Sequence, residues 1–320
     1  MTFHIIPYDE FRDAQAWDSF VGDAANGTFL HTRKFLSYHK RRFLDVSVIV
    51  LDKQERMQGL FPAAVDPKDE KCVISHPGAT FGGLVCSINL FGSKTVEVFD
   101  QISNFYAKQG FSKLIYRPAP LIFHKVTTSD DLNALFAAGA RITRSSLSAA
   151  IELTQPRKLT KGRKYMKSVA SRYELCISWS LDNLDEYWRL LTECLLERYG
   201  TSPVHSLEEI RSLCDLFPDE IMLCVCTLDN QTIAGGMYFI ENSVLHLQYS
   251  ASNETGHKVG AMDLAIEEGI SKAREIGLKW FSFGTSPSGV GSAINDALYD
   301  YKRSFGSGSV IYNEFVLDLK

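Results

Sequence analysis

Several polar constellations in this 320-residue chain have residue types and spacings that could do chemistry. The first is Gly284-Thr285-Ser286, which reads as the end of a strand before a loop and a helix. A strand that stops there presents two hydroxyls and backbone N–H groups to a cleft. On the helix behind it, Ile294, Leu298, Tyr301 and Phe305 form an apolar stripe. Asn295, Tyr299 and Lys302, at i, i+4 and i+7, form a polar stripe beside it. An ammonium near a developing oxyanion would stabilise an acyl-transfer transition state; the plain alternative is an exposed helix lysine. The second constellation is His257-Lys258-Val259-Gly260-Ala261-Met262, between a strand and a helix, where N-terminal N–H groups can hold a phosphate. The third is basic. Arg157, Lys158, Lys161, Arg163, Lys164, Lys167 and Arg172 occur with no acidic residue between Leu153 and Tyr173. Such a run fits the phosphates of a nucleotide-linked precursor, a lipid pyrophosphate or a tRNA, and equally the solvated face of a linking helix. Arg198-Tyr199 closes a helix before Gly200, where an arginine also suits the helix dipole.

Positioning these groups needs a scaffold, and hydrophobic period supplies one. In the first half it predicts a strand at 3–8, helices at 11–25 and 33–42, and strands at 45–53, 59–67 and 71–85. A helix at 93–109, a strand at 113–117, a helix at 130–138 and a strand at 146–153 follow. A basic helix at 160–172 leads into the second half. There the same order recurs: strand 174–180, helices 182–199 and 206–217, and strands 221–228, 233–241 and 244–251. Helix 260–276, capped by Gly277, strand 279–283, helix 292–305 and strand 310–317 complete it. Both halves read β-α-α-β-β-β-α-β-α-β. The fold class is therefore α/β (α+β): two tandem domains at 1–153 and 154–320, each a mixed, largely antiparallel sheet flanked by helices.

Composition limits the function classes. A net charge of −4 gives no overall attraction to DNA, so contacts with polyanions must come from a local patch. No basic region followed by an apolar stretch opens the chain, and no run approaches the ~18 apolar residues of a membrane span. The expectation is a cytoplasmic protein, with peripheral membrane contact still open. The seven cysteines include no CxxC pair, and no HExxH occurs; reduced buried thiols and no metal site are expected.

Four segments carry a family resemblance. Asn26-Gly27-Thr28-Phe29-Leu30-His31-Thr32, Ser75-His76-Pro77-Gly78-Ala79-Thr80-Phe81-Gly82-Gly83-Leu84, the basic Leu159–Lys167 stretch and Phe283-Gly284-Thr285-Ser286 follow in order. The last continues as Asn295-x-x-Leu298-x-x-Tyr301-Lys302-x-x-Phe305-Gly306. Together they resemble FemABX-like proteins, which carry tandem GNAT-like domains, and most of all those associated with cell-surface polysaccharide biosynthesis. The resemblance implies transfer of an acyl or aminoacyl group onto an amine or hydroxyl of a glycan or cell-wall precursor. It places the acyl donor on the second domain and the acceptor in the cleft between the halves, with the first domain as the acceptor side.

Residue by residue, the resemblance implies that Lys302, with Thr285 and Ser286, acts at the transferred acyl group. His257, Lys258, Val259, Gly260 and Ala261 occupy the pyrophosphate-binding place of acyl-CoA, though His257 stands where the pattern has Arg or Gln. Arg198, Tyr199, Tyr249, Arg33, Lys34 and Asn295 are the implied acceptor-binding residues. The implied partners are a small-molecule or lipid-linked glycan acceptor and acyl-CoA, with no metal. Aminoacyl-tRNA is the alternative donor, as in a peptidoglycan cross-bridge ligase, although no heptad arm for docking tRNA is present. A catalytically inactive glycan-binding tandem domain is the third reading. No general base is identified: Tyr116-Arg117-Pro118 lacks the acid some relatives have before the proline, and His76, preceding Pro77, reads more readily as structural.

Overall fold

The computed structural model describes residues 2–39, 42–286 and 294–320. They form two compact units. One gathers residues 2–146 and Ile311–Lys320; the other gathers the described residues of 147–289 and 293–310. The expected division at 153/154 follows the chain, whereas the first unit also takes in its C-terminal ten residues.

The chain starts with β1 (Phe3–Pro7), α1 (Glu10–Asp23) and the short α2 (Arg33–Leu36). Then come β2 (Val48–Asp52), β3 (Met57–Phe61), β4 (Ala64–Asp66), β5 (Asp69–Ile74) and β6 (Val85–Cys86). After α3 (Ser93–Lys108), β7 (Lys113–Tyr116) and α4 (Asp130–Ala137), β8 (Arg141–Glu152) leads out of the first unit. The helix α5 (Lys161–Ala170) precedes β9 (Cys176–Trp179), α6 (Leu184–Tyr199) and α7 (Leu207–Leu216). The meander β10 (Ile221–Leu228), β11 (Gln231–Glu241) and β12 (Val244–Ser252) follows. It feeds α8 (Glu254–Val259), α9 (Ala261–Glu275), β13 (Trp280–Thr285), α10 (Asp296–Arg303) and β14 (Gly308–Asp318). The first two residues of the helix expected over 292–305 lie outside the described residues.

In the first unit β1, β2, β3 and β6 form an antiparallel sheet in that order. All of β2 is buried, and its alternation divides it between two cores. Val48 and Val50 join Phe61, Phe99 and Tyr116 on one side; Ile49 and Leu51 join Trp17 and Val21 on the other. A second set of strands runs β4-β5-β7, and β7 pairs antiparallel with the end of β14, Tyr116 opposite Phe315.

The strand expected over 71–85 is broken in two. Pro77 has no N–H to give a ladder, and His76 sits at φ +30°. The broken stretch is latched from the early motif instead. The Asn26 side-chain amide donates to Leu84 O (2.8 Å) and its carbonyl accepts from Cys86 N–H (2.8 Å). His31 Nε2 lies 3.1 Å from Gly82 O. Two segments singled out in the sequence thus pack on each other, mainly to hold the fold.

In the second unit the sheet order is β8-β13-β12-β11-β10-β9, antiparallel except for β12 and β13. Cys224 and Cys226 share one core face, as period 2 requires. Against that face lie Ala265, Ile266, Ile270 and Ala273 of α9. Gly269 permits close approach: a Cβ there would sit 2.6 Å from the Tyr238 hydroxyl, which donates to Ala265 O. All seven cysteines are unbridged; Cys176 alone among them is exposed.

Candidate active site

The parallel pairing of β12 with β13 lasts three residues, Val244–Trp280, Leu245–Phe281 and His246–Ser282. Past it, β12 runs on to Ser252 and β13 to Thr285 without further pairing to each other. On its other side β13 loses register with β8 between Ser282 and Thr285. Gly284 sits there at φ +71°, a conformation that a side chain would strain. The carbonyls of Gly284 and Thr285 turn out of the ladder and accept from Lys302 Nζ, at 3.1 and 2.7 Å.

α10 places that lysine. Asn295 caps the helix by accepting from Leu298 N–H (3.0 Å), while its own N–H donates to Ser286 O (2.9 Å). Lys302 follows in the last turn and is 8% exposed. Burial alone pulls its pKa down to about 8. No carboxylate neutralises it among the described residues. An ammonium has three hydrogens, and the two carbonyls take two. His246 lies alongside, its Nδ1 3.1 Å from Ser282 Oγ. Burial, and secondarily the charge on Lys302, lowers its pKa to about 4, so it is neutral at pH 7. The Ser286 hydroxyl is buried and meets no hydrogen-bond partner among the described residues. Among the described residues this is a buried cation with one uncommitted donor hydrogen, held by neutral dipoles at the point where two strands part.

A second cluster lines the end of β12 that no longer pairs with β13. The register slips between Met237 and Tyr238, making Gln248 the extra residue of a bulge. Tyr249 just beyond packs edge-on to Trp188, and its hydroxyl lies 2.5 Å from His205 Nδ1. Burial pushes Tyr249 up to about 12. Arg198, from the end of α6, donates to Ser252 O (3.4 Å) and contacts His257 Nε2. Tyr199 next to it stays largely exposed.

Residues 155–303 match the family profile described as an acetyltransferase (GNAT) domain. The structure of FemX covers 99% of this chain and 97% of its own at 12% identity, with a TM-score of 0.69. The chain has a FemABX-like fold, and its residues 155–303 are of the GNAT type. L-PGS from Bacillus licheniformis aligns over 96% of this chain and 92% of its own, at 13% identity and TM-score 0.63. A tandem GNAT protein from the clavulanic acid biosynthesis pathway aligns over 99% of both chains at 8% identity and TM-score 0.53. No curated protein matches the sequence.

Within a GNAT-like unit, the start of α9 is where the resemblance expects the coenzyme A pyrophosphate. The residues there do not fit one. His257, Lys258 and Val259 belong to α8, and Gly260, at φ +76°, both ends that helix and starts α9. Val259, Gly260, Ala261 and Met262 are buried. A Cβ on Gly260 would stand 2.9 Å from the carbonyl oxygen of Met166 on α5. In the first turn of α9 Asp263 already supplies an anion, paired with Arg163 and accepting from the Tyr301 hydroxyl (3.0 Å). Lys258 pairs with Glu254 on the surface. Of the five expected cofactor residues, His257 alone reaches a cluster, the one around Arg198.

In the FemABX-like first unit, Arg33 and Lys34 border a cavity of about 800 Å³ with Tyr8, Asp18 and Asp45. Arg33 is not turned outward for an acceptor. Its guanidinium stacks on Tyr8 and Trp17, 3.5 and 3.9 Å from the ring centroids, and pairs with Asp45 at 2.5 Å. Asn295 likewise serves α10 as a cap. His76 is buried beside His39 and Phe43, with burial lowering its pKa to about 4. Sequence reasoning passed over His246 and His205. A lone polar residue inside apolar Val244–Leu247 was the signal for His246; nothing local marks His205, whose partner is 44 residues away.

Proposed function

We propose that this protein is a cytoplasmic transferase that moves an acyl or aminoacyl group onto an amine or hydroxyl of a cell-surface glycan or cell-wall precursor. The observation that carries the reading is Lys302, a desolvated ammonium hydrogen-bonded only to the Gly284 and Thr285 carbonyls among the described residues. An acyl carbonyl oxygen placed at its remaining hydrogen would gain stabilisation as it becomes an oxyanion, with no carboxylate to compete. The acceptor nitrogen or oxygen forms the new bond to the acyl carbon and loses its proton. The bond to the donor's leaving atom breaks, and that atom regains a proton. Arg198 and Tyr249 are the acceptor-binding candidates this reading retains, with Lys34 beside the first unit's cavity.

A second reading of the donor is favoured by the covered start of α9. A donor that does not need a pyrophosphate seat there, such as aminoacyl-tRNA, suits that geometry better than acyl-CoA. The test is transfer of labelled acyl groups from acetyl-CoA, from longer acyl-CoAs and from charged tRNA to amino-sugar and muropeptide acceptors. Wild type should act with one donor class, and Lys302→Met should lose that activity. No transfer from any donor would leave an inactive glycan-binding protein and sink the proposal.

A further inference from the structure

We infer that the outer face of α5 docks this protein onto a bilayer containing anionic phospholipid. Seven cations lie between residues 157 and 172 with no acid among them, and their surroundings divide them into two groups. Arg157 and Arg163 turn inward and pair with Glu267 and Asp263 of α9. Together with the contact of Gly260 on Met166 O, they clamp α5 in place. Lys158, Lys161, Lys164, Lys167 and Arg172 are exposed, and none of them forms an ion pair among the described residues. At ~100° per residue Lys161, Lys164, Tyr165, Lys167 and Ser168 share one arc, opposite Arg163, Met166 and Ala170. Tyr165 is 62% exposed and Tyr173 46%, so aromatic rings stand among the ammoniums.

Beside this face, between α5 and α9, lies a cavity of about 260 Å³. Leu159, Ala170, Leu175, Leu264 and Phe305 give it an apolar lining, with Lys167 and the arginine-paired carboxylates of Asp263 and Glu267 also among the lining residues. A cationic face with interfacial aromatics and an adjoining apolar pocket suits an amphiphile: headgroup phosphate to the ammoniums, hydrocarbon to the pocket. RNA suits it less. Two of the three arginines, Arg157 and Arg163, whose forks would grip phosphates in pairs, are committed to carboxylates, and the pocket offers two rings, Tyr173 and Phe305, among aliphatic and charged side chains, not a row of aromatics on which bases stack. Because the chain as a whole is net negative, attraction to an anionic surface depends on a local patch such as this one, which would orient the molecule on the bilayer.

The inference does not rest on the transferase reading, and its test needs no turnover. Full-length protein is sedimented with vesicles of phosphatidylcholine alone, or mixed with an equal part of phosphatidylglycerol. It should be retained by the anionic vesicles alone, and less so as salt rises. Replacing Lys161, Lys164 and Lys167 together by Gln should weaken retention about 100-fold, at roughly fivefold per cation, without lowering the melting temperature. Glycerol 3-phosphate, a headgroup without chains, should fail to compete. Lack of retention on anionic vesicles, retention unchanged in the triple variant, or displacement by glycerol 3-phosphate would each overturn the inference. So would a triple variant that loses binding to total tRNA while vesicles retain neither protein; that result would hand the face to nucleic acid.

Discussion

Among the described residues each unit buries one lysine or arginine to nearly the same depth, Arg33 in the first and Lys302 in the second, at 7% and 8% exposure. Their surroundings differ in kind. Arg33 has a carboxylate, Asp45, and two aromatic faces, so its charge is matched and its plane is stacked. Lys302 has two backbone carbonyls and a neutral histidine. A matched buried cation holds structure together. An unmatched one is held at a cost to stability, and such groups gather where chemistry needs them. Depth of burial alone would have ranked the two alike.

Exchanging each for methionine should break that comparison most sharply. Lys302→Met is expected to lower kcat 10²–10³-fold, the range for losing one oxyanion donor, with the urea midpoint unchanged or raised because the cost of burying an ammonium is removed. Arg33→Met is expected to do the reverse. It strands Asp45 and both ring faces, so urea unfolding should show a loss of about 3 kcal/mol, at the low end for breaking a buried pair because Asp45 is partly exposed. Per-molecule activity of the folded fraction should be retained. If both variants lost only stability, Lys302 would be another Arg33.

Acidity separates the two further. The folded pKa of Lys302, about 8, lies below the 10.5 of an ordinary lysine. Between those values the unfolded chain holds more protons, so this group makes the fold more stable as pH rises from 8 to 10.5, by about 3 kcal/mol over the window. Activity that needs the ammonium should fall over the same rise. A kcat that falls as pH rises past about 8, while the unfolding free energy rises over the same window, checks both signs. An activity profile flat to pH 10 would remove the ammonium from the reaction. The smallest expected effect is at Asn295. Asn295→Ala should cost about 1 kcal/mol through the lost α10 cap and leave the acceptor KM unchanged; a raised KM would restore it as an acceptor-binding residue.

Much of this was legible in the sequence. Most of the succession of elements followed from hydrophobic period, although five short strands, β2 to β6, stand where three were expected and α8 and α9 where one helix was; the Gly284-Thr285-Ser286 and Lys302 segments do meet at one strand end. What could not be read were partners set by tertiary pairing. Asp263 meets Arg163 across 100 residues, and that contact decides that the start of α9 is covered. Arg33 read as an outward cation because neither Tyr8, Trp17 nor Asp45 is near enough in sequence to announce a stack and an ion pair. The break at His76 was signalled by Pro77 and the glycines beside it, but the apolar residues on either side outweighed them. The expected phosphate loop at 257–261 became helix because Asn253 accepts from Gly256 N–H and starts α8 early.

The strand that completes the first unit carries a consequence for synthesis. Tyr116 on β7 waits for Phe315, about two hundred residues further along the chain. At ordinary elongation rates that is on the order of ten seconds or more. During that interval β7 has one unpaired edge on the ribosome while the entire second unit emerges. The first unit is begun first and finished last, which makes its nascent edge the place where a chaperone, or a wrong strand, has time to bind.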